Sequence, residues 1–284
     1  MPATVAVLGL GTMGTGIAHT LATAGYEVMG VDPAPEARDR TGDAIPVVDL
    51  DHAVRRCATL ILSLPGSPQV EDVLLGPGGL LASATEHRLV VDTSTCDPLS
   101  TTKVAESLTS RGHSYVDAPV SGGAQGAANG TLTAFVGGHD DAVAEADDVL
   151  GVIARHVTRV GGPGAGHLAK LVNNMLCATH LQIAGEVLRL GQAAGVDAGR
   201  LVDAVNTASG RSAVTEVNLP RWVLSQSFDS GFTLGLMARD VALTADIAHA
   251  LGVETPLAED VARAWQETRD RLGAAEDFNR MAQP

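Results

Sequence analysis

A strand can pass straight into a helix only across a turn that glycine permits, and this chain opens with such a turn. The run Leu8 to Gly16, LGLGTMGTG, places Gly9, Gly11 and Gly14 in GxGxxG spacing, directly after the apolar stretch Thr4 to Leu8 and directly before a helical pattern. The three glycines serve different ends, in order the tight turn, close approach of the backbone to a ligand, and close packing of helix on strand. With Leu10, Thr12 and Met13 between them, the turn directs amides outward at a helix start, where the helix dipole favours an anion. A pyrophosphate is the anion this geometry suits, so a dinucleotide is the expected ligand.

The rest of the first half supports a fold of that kind. Short runs at Thr4 to Leu8, Glu27 to Val31, Thr59 to Leu62, Arg88 to Val91 and Ser114 to Val116 read as strands, separated by amphipathic helical stretches. Asp49, Ser67-Pro68 and Asp97-Pro98 read as helix starts, a capping side chain ahead of a first turn. Alternating strands and helices predict an α/β fold, an N-terminal Rossmann doubly wound sheet with mainly parallel strands. The second strand ends at Asp32, where such folds hold the ribose hydroxyls with an acid. An aspartate there repels a 2′-phosphate, and Pro33 follows rather than an arginine, so NAD is expected over NADP.

From Gly164 the β-branched runs stop and the chain reads as helices broken at Gly195, Gly210, Phe228 to Gly231 and Gly252. The expectation is two domains: residues 1–163 for the cofactor, and an all-α domain, residues 164–284, for substrate and oligomerisation. A long interdomain helix, Gly166 to Ala194, would join them, about 40 Å at 1.5 Å per residue.

Composition excludes several classes. A net charge of -14, from 33 acids against 19 Lys and Arg with no basic block, disfavours nucleic acid or an anionic membrane as partner. No apolar stretch approaches membrane-spanning length, and Cys57, Cys96 and Cys177 lie far apart without CxxC spacing. A cytoplasmic protein with reduced thiols is expected. The nine histidines show no HxxxH or HExxH spacing, so no metal is implied. His167 reads as a solvent-facing residue of a first helical turn.

Two further segments carry chemistry. Ser121-Gly122-Gly123 follows a strand and a proline, so exposed amides and a hydroxyl could form a nest for a carboxylate. Lys170 lies near the start of the long helix with Asn173 and Asn174 at i+3 and i+4, on its own face.

Together, Leu8 to Gly16, Asp117 to Thr133 (DAPVSGGAQGAANGTLT), Gly161 to Asn174 (GGPGAGHLAKLVNN) and Arg239-Asp240 within LMARDVALTAD make the chain resemble the β-hydroxyacid dehydrogenase family over nearly its whole length. That family includes 3-hydroxyisobutyrate, tartronate semialdehyde, glyoxylate/succinic semialdehyde and threonate enzymes. The resemblance implies an oxidoreductase that moves a hydride between NAD and the 3-hydroxyl carbon of a small anionic hydroxy acid or semialdehyde. It assigns the general acid/base to Lys170, orientation of substrate and ammonium to Asn174, and the substrate carboxylate to Ser121, Gly122 and Gly123. Thr95, in Asp92-Thr93-Ser94-Thr95, is assigned to the nicotinamide half of the cofactor, and Leu64-Pro65 to its adenine-side ribose and pyrophosphate. Arg239 stands where many relatives carry a lysine that reaches the cofactor; it keeps the charge but changes the shape. Arg211, in the loop Ser209 to Ser212, is a candidate substrate contact or a surface arginine at a helix end.

A homodimer or homotetramer is expected, with Val241 to Ala250 suited to self-packing. Imine reductases share the predicted fold but generally lack the lysine. A 6-phosphogluconate dehydrogenase would need a larger helical domain, and a non-catalytic dinucleotide binder would not need Lys170 and Asn174 together.

Overall fold

The computed structural model describes residues 4–283. Its first half runs β1 (Thr4–Leu8), α1 (Thr12–Thr23), β2 (Glu27–Val31), α2 (Ala37–Thr41), α3 (Leu50–Arg56), β3 (Thr59–Leu62), α4 (Ser67–Leu75), α5 (Leu80–Ser83), β4 (Leu89–Asp92) and α6 (Pro98–Thr109). There follow β5 (Ser114–Asp117), β6 (Val120–Ser121), α7 (Gly123–Asn129), β7 (Leu132–Gly138), α8 (Asp140–Ile153) and β8 (Ala154–Gly161). The strands form one sheet in the order β2-β1-β3-β4-β5-β7-β6, with β8 paired to β7. The first five strands are parallel, β7 runs antiparallel to β5 and β6, and β8 is parallel to β7.

Side-chain alternation explains why helices cover both faces. Val5, Val7, Ile61 and Val91 point into a core shared with Ile17, Leu21, Leu150 and Ile153 of α1 and α8. Their neighbours Ala6, Leu8, Leu60, Leu62 and Val90 point into a second core with Val54, Leu74, Leu80, Val104 and Leu108 of α3 to α6. A strand buried on both faces reads as a near-continuous apolar run, as β1, β3 and β4 do apart from Thr4, Thr59 and Asp92 at their ends. Two of the expected helix starts hold: Asp49 accepts from the His52 amide and Asp97 from the Leu99 amide. Ser67 does not cap α4, because Gly66 occupies the cap and the Ser67 hydroxyl accepts from the Asp97 amide instead. Sequence reading placed no strand at β6, β7 or β8. β8 is mostly exposed along its length and carries Arg155, His156 and Arg159, the charges of an edge strand rather than an apolar run.

The chain divides into two compact units, residues 1–170 and 171–284, and the dividing point falls within the 29-residue α9 (Ala165–Ala193). The second unit is helical, with α10 (Ala198–Asn206), a π-helical stretch at Val214–Leu224, α11 (Leu234–Ala250) and α12 (Pro256–Leu272). Its core gathers Met175, Ala178, Leu181, Ala184 and Leu188 of α9 with Leu219, Met237, Val241 and Trp265. The helix breaks fall near Gly195, Gly210, Gly231 and Gly252, as the sequence suggested, and Gly195, Gly231 and Gly252 adopt positive φ. Among the described residues, no helix is long and apolar enough to cross a membrane.

Candidate active site

Three glycines of the first turn are distinguished by what a side chain would meet. At Gly9 (φ +92°) a Cβ would lie 2.3 Å from the Ser63 carbonyl oxygen, and at Gly14 it would lie 1.8 Å from that of Gly9. At Gly11, the N-cap of α1, a Cβ would meet nothing within 4 Å. The first and third glycines thus allow the turn to pack, while the second leaves exposed backbone open to a ligand at a helix N-terminus, as a pyrophosphate requires. Thr12 is exposed beside it and Met13 half-buried. Leu10 differs from expectation: its side chain is buried in the core and its amide donates to Asp32 Oδ2 at 2.7 Å, so that amide faces the carboxylate rather than a phosphate.

Asp32 also accepts from the Ala34 amide through Oδ1 at 2.8 Å. Sequence reading missed Arg40, whose Nε donates to the Leu10 carbonyl at 2.6 Å and whose Nη2 lies 3.9 Å from Asp32 Oδ2. The available signal was the basic pair in Ala37-Arg38-Asp39-Arg40, shortly after the second strand.

In the sheet order, β1 lies between β2 and β3, so successive crossovers leave it in opposite directions and open a crevice at the strands' carboxyl ends. The next two loops lie along that edge. The Leu64 amide donates to Ser94 Oγ at 3.0 Å, joining the loop after β3 to the loop after β4. Pro65 is exposed and Thr95 half-buried.

Asp92, fully buried at the end of β4, accepts from the Ser94 amide and from the Tyr115 hydroxyl at 2.9 Å. Burial first, then the Asp92 and Asp117 carboxylates, push the Tyr115 phenol well above its ordinary pKa, so it stays a donor. His167 is fully buried, contrary to the solvent-facing position expected. Its Nδ1 lies 2.7 Å from Thr101 Oγ1 and its Nε2 faces Asp92 Oδ2 at 3.9 Å, beyond hydrogen-bonding reach. Asp92, Cys96 and His167 bring ligand-type atoms within 4.8 Å of one another. Sequence spacing could not reveal that group, because β4 and α9 meet only through the fold.

The start of α9 is fixed by Asp117, the last residue of β5. Its buried carboxylate accepts from the Gly164 amide at 2.8 Å and the His167 amide at 3.0 Å, placing a negative charge at the helix N-terminus. Gly166 permits this approach, since a Cβ there would lie 2.3 Å from the Phe135 carbonyl oxygen. Lys170 follows on the same helix and is 8% exposed; Asn174, one turn later, is 4% exposed. Asn174 Nδ2 donates to Asp240 Oδ2 at 2.7 Å, while Arg239 donates to Asp240 Oδ1 through Nε at 3.0 Å and Nη2 at 2.7 Å. Asp240 thereby links Asn174 and Arg239, a role the Arg239-Asp240 motif contained but did not announce. Asn173 donates through its amide to Asn174 Oδ1 at 3.1 Å. Ser121 ends β6, and Gly122 (φ +130°) and Gly123 (φ +63°) are exposed in a conformation that needs glycine. Arg211 is exposed, 3.7 Å from Glu216.

A mainly parallel sheet whose first turn is open at Gly11 and whose second strand is followed by an acid, Asp32, defines the class, a Rossmann-type fold suited to a dinucleotide, with a helical second unit. Residues 4–162 match the family model described as the NAD binding domain of 6-phosphogluconate dehydrogenase. Residues 164–284 match the one described as NAD-binding of NADP-dependent 3-hydroxyisobutyrate dehydrogenase. The 3-hydroxyisobutyrate dehydrogenase of Pseudomonas aeruginosa is 36% identical over 267 residues, 89% of this chain and 88% of that protein. The NAD-dependent L-serine dehydrogenase of the same species is 35% identical over 262 residues, with the same shares, 89% and 88%. Among solved structures, the 3-hydroxyisobutyrate dehydrogenase of Mycobacterium tuberculosis with L-serine superposes with a TM-score of 0.92 at 31% identity, covering 99% of this chain and 98% of that one. An imine reductase of Streptomyces aurantiacus shares the fold alone, at 20% identity and a TM-score of 0.65 over 98% of each chain. The chain belongs to the β-hydroxyacid dehydrogenase family, oxidoreductases that act on CH–OH donors with NAD(P).

Proposed function

We propose that this chain interconverts a small 3-hydroxy acid and its semialdehyde with NAD, using Lys170 as the general acid/base. The observation that carries the reading is the pairing of Lys170 and Asn174, 8% and 4% exposed, one turn apart on a helix anchored through Asp117. A buried lysine on a fixed helix is a poor surface charge and a good proton carrier. A nicotinamide dinucleotide, held by the turn at Gly9, Gly11 and Gly14, by Asp32, and by the loops at Leu64-Pro65 and Thr95, supplies the hydride acceptor. Lys170 Nζ takes the hydroxyl proton during oxidation and returns it to the carbonyl oxygen during reduction. Asn174, its amide oriented by Asp240, hydrogen-bonds the substrate and orients the ammonium. Ser121, Gly122 and Gly123 receive the carboxylate through a hydroxyl and backbone amides. Arg239 contributes a cation toward the cofactor while pairing with Asp240.

The substrate class rests on the relatives, whose names include 3-hydroxyisobutyrate and L-serine, both short acids with a hydroxyl on C3. NAD as the preferred cofactor rests on Asp32. The test is absorbance in the NADH band with NAD and a panel of short 3-hydroxy acids, beside a Lys170→Ala variant. Turnover of one acid, lost by about 10²-fold or more in the variant while NADH still binds, is the expected result. Equal turnover in variant and parent would remove Lys170 from the mechanism. Absence of turnover with every acid and semialdehyde would favour a non-catalytic dinucleotide binder.

We also assign self-association to α9. Leu168, Val172, Leu176, Ile183, Val187 and Leu190 are 40–69% exposed and fall within about 100° of arc at 100° per residue. An apolar stripe of that width is the pattern a helix shows where it packs against a partner, here a second copy in a homodimer or homotetramer.

A further inference from the structure

Arg40 belongs to none of the motifs that carry the family resemblance, yet it reaches the glycine turn. Its Nε donates to the Leu10 carbonyl at 2.6 Å, and Nη2 lies 3.9 Å from the Asp32 carboxylate. The side chain is 39% exposed and that of Asp32 13%, so the arginine is the more solvent-accessible of the two. NAD was expected over NADP because Asp32 would repel a 2′-phosphate with no arginine following it to neutralise one. The fold supplies that arginine from α2, seven residues beyond Pro33. Asp32 is compensated on three sides, by the Leu10 amide at 2.7 Å, the Ala34 amide at 2.8 Å and the guanidinium. A carboxylate so surrounded repels a neighbouring phosphate less than a bare one does. A guanidinium holds its donors in a planar fork that matches two phosphate oxygens, and the Leu10 carbonyl engages only its Nε.

We propose that Arg40 forms a 2′-phosphate subsite beside Asp32, so that the chain accepts NADP(H) as well as NAD(H). The proposal rests on the dinucleotide reading above and deepens it. Asp32 keeps its two backbone amides and orients the ribose from one side. Arg40 pivots about the Leu10 carbonyl and presents its terminal nitrogens to the 2′-phosphate from the other.

The test is equilibrium binding of NADH and NADPH by nicotinamide fluorescence, with 5′-AMP and 2′,5′-ADP as competing probes, in the full-length protein and in Arg40→Ala and Arg40→Lys. The wild type should bind both reduced cofactors. In Arg40→Ala the ratio of NADPH to NADH dissociation constants should rise about tenfold or more, with partial recovery in Arg40→Lys, a charge without the fork. Competition by 2′,5′-ADP should weaken with added salt more than competition by 5′-AMP, because only the former adds a charged contact. NADH binding without NADPH binding in the wild type, or an unchanged ratio in Arg40→Ala, overturns the proposal and leaves the NAD reading standing. Failure to bind either cofactor overturns the dinucleotide reading as well.

Discussion

Gly11 and Gly14 sit in one turn, yet alanine should affect them differently. A methyl at Gly14 would meet the Gly9 backbone at 1.8 Å, whereas at Gly11 it enters open space. Gly14→Ala should lower the urea midpoint by an amount worth about 2 kcal/mol or more. Gly11→Ala should move the midpoint by less than about 1 kcal/mol while weakening NADH binding, because the added carbon occupies the ligand's approach. Cys57 is a different kind of residue: buried, with its thiol pushed up to about 11, chiefly by desolvation and secondarily by Glu27. Alkylation by iodoacetamide followed by peptide mapping should leave it unmodified in the native protein near pH 8 and modified after unfolding. His87 is held above its ordinary pKa of 6.5 first by the Gly112 carbonyl, with Glu145 adding to this against an opposing burial cost. A raised folded-state pKa stabilises the fold fully below the unfolded value and ceases to do so as pH rises through the folded value. The difference in urea midpoint between wild type and His87→Ala should therefore be largest below pH 6.5 and narrow as the pH rises above it. At this scale the sequence made the glycines and Asp32 visible, since their spacing is local. The burial of His167 and the approach of Arg40 to Asp32 were not visible, because each depends on elements that only the fold brings together.

At the scale of elements, α9 is the part whose position matters most, and Asp117 fixes its first turn. Asp117→Ala would leave the buried Gly164 and His167 amides without their acceptor, a loss on the order of 3 kcal/mol. It should show as a lower urea midpoint and as faster amide hydrogen exchange confined at first to the start of α9. Exchange that stays protected there would mean that helix packing, not the carboxylate, sets this end. The five parallel strands and the helix breaks were readable from hydrophobic runs and from glycine. β7, LTAFVGG, ends in two glycines, and β8, ARHVTRVG, is charged along an edge, so neither carries the signature of a buried strand. The Ser67 hydroxyl was read as a cap from its place before a proline, but the Asp97 amide engages it from the loop after β4.

For the whole molecule, the sequence pointed to self-association through Val241 to Ala250, but Val241 and Ile247 are buried and α11 packs against α12 within the second unit. The exposed apolar stripe is on α9 instead. A variant carrying Ile183→Glu and Leu190→Glu should run as a smaller species than the wild type in light scattering, since a charge on each exposed position penalises burial against a second copy. An unchanged mass would place the contact elsewhere. The sequence by itself determined the kind of sheet, the glycine turn after β1, the all-helical second half and the family, because each follows from neighbours in the chain: a glycine spacing, a hydrophobic period, a run of residues. The tertiary structure alone decided which polar groups meet. Asp117 meets the first turn of α9, Asp240 meets Asn174 and Arg40 meets Asp32, because hydrogen bonds and charge depend on distance in space, to which separation along the chain gives little guide.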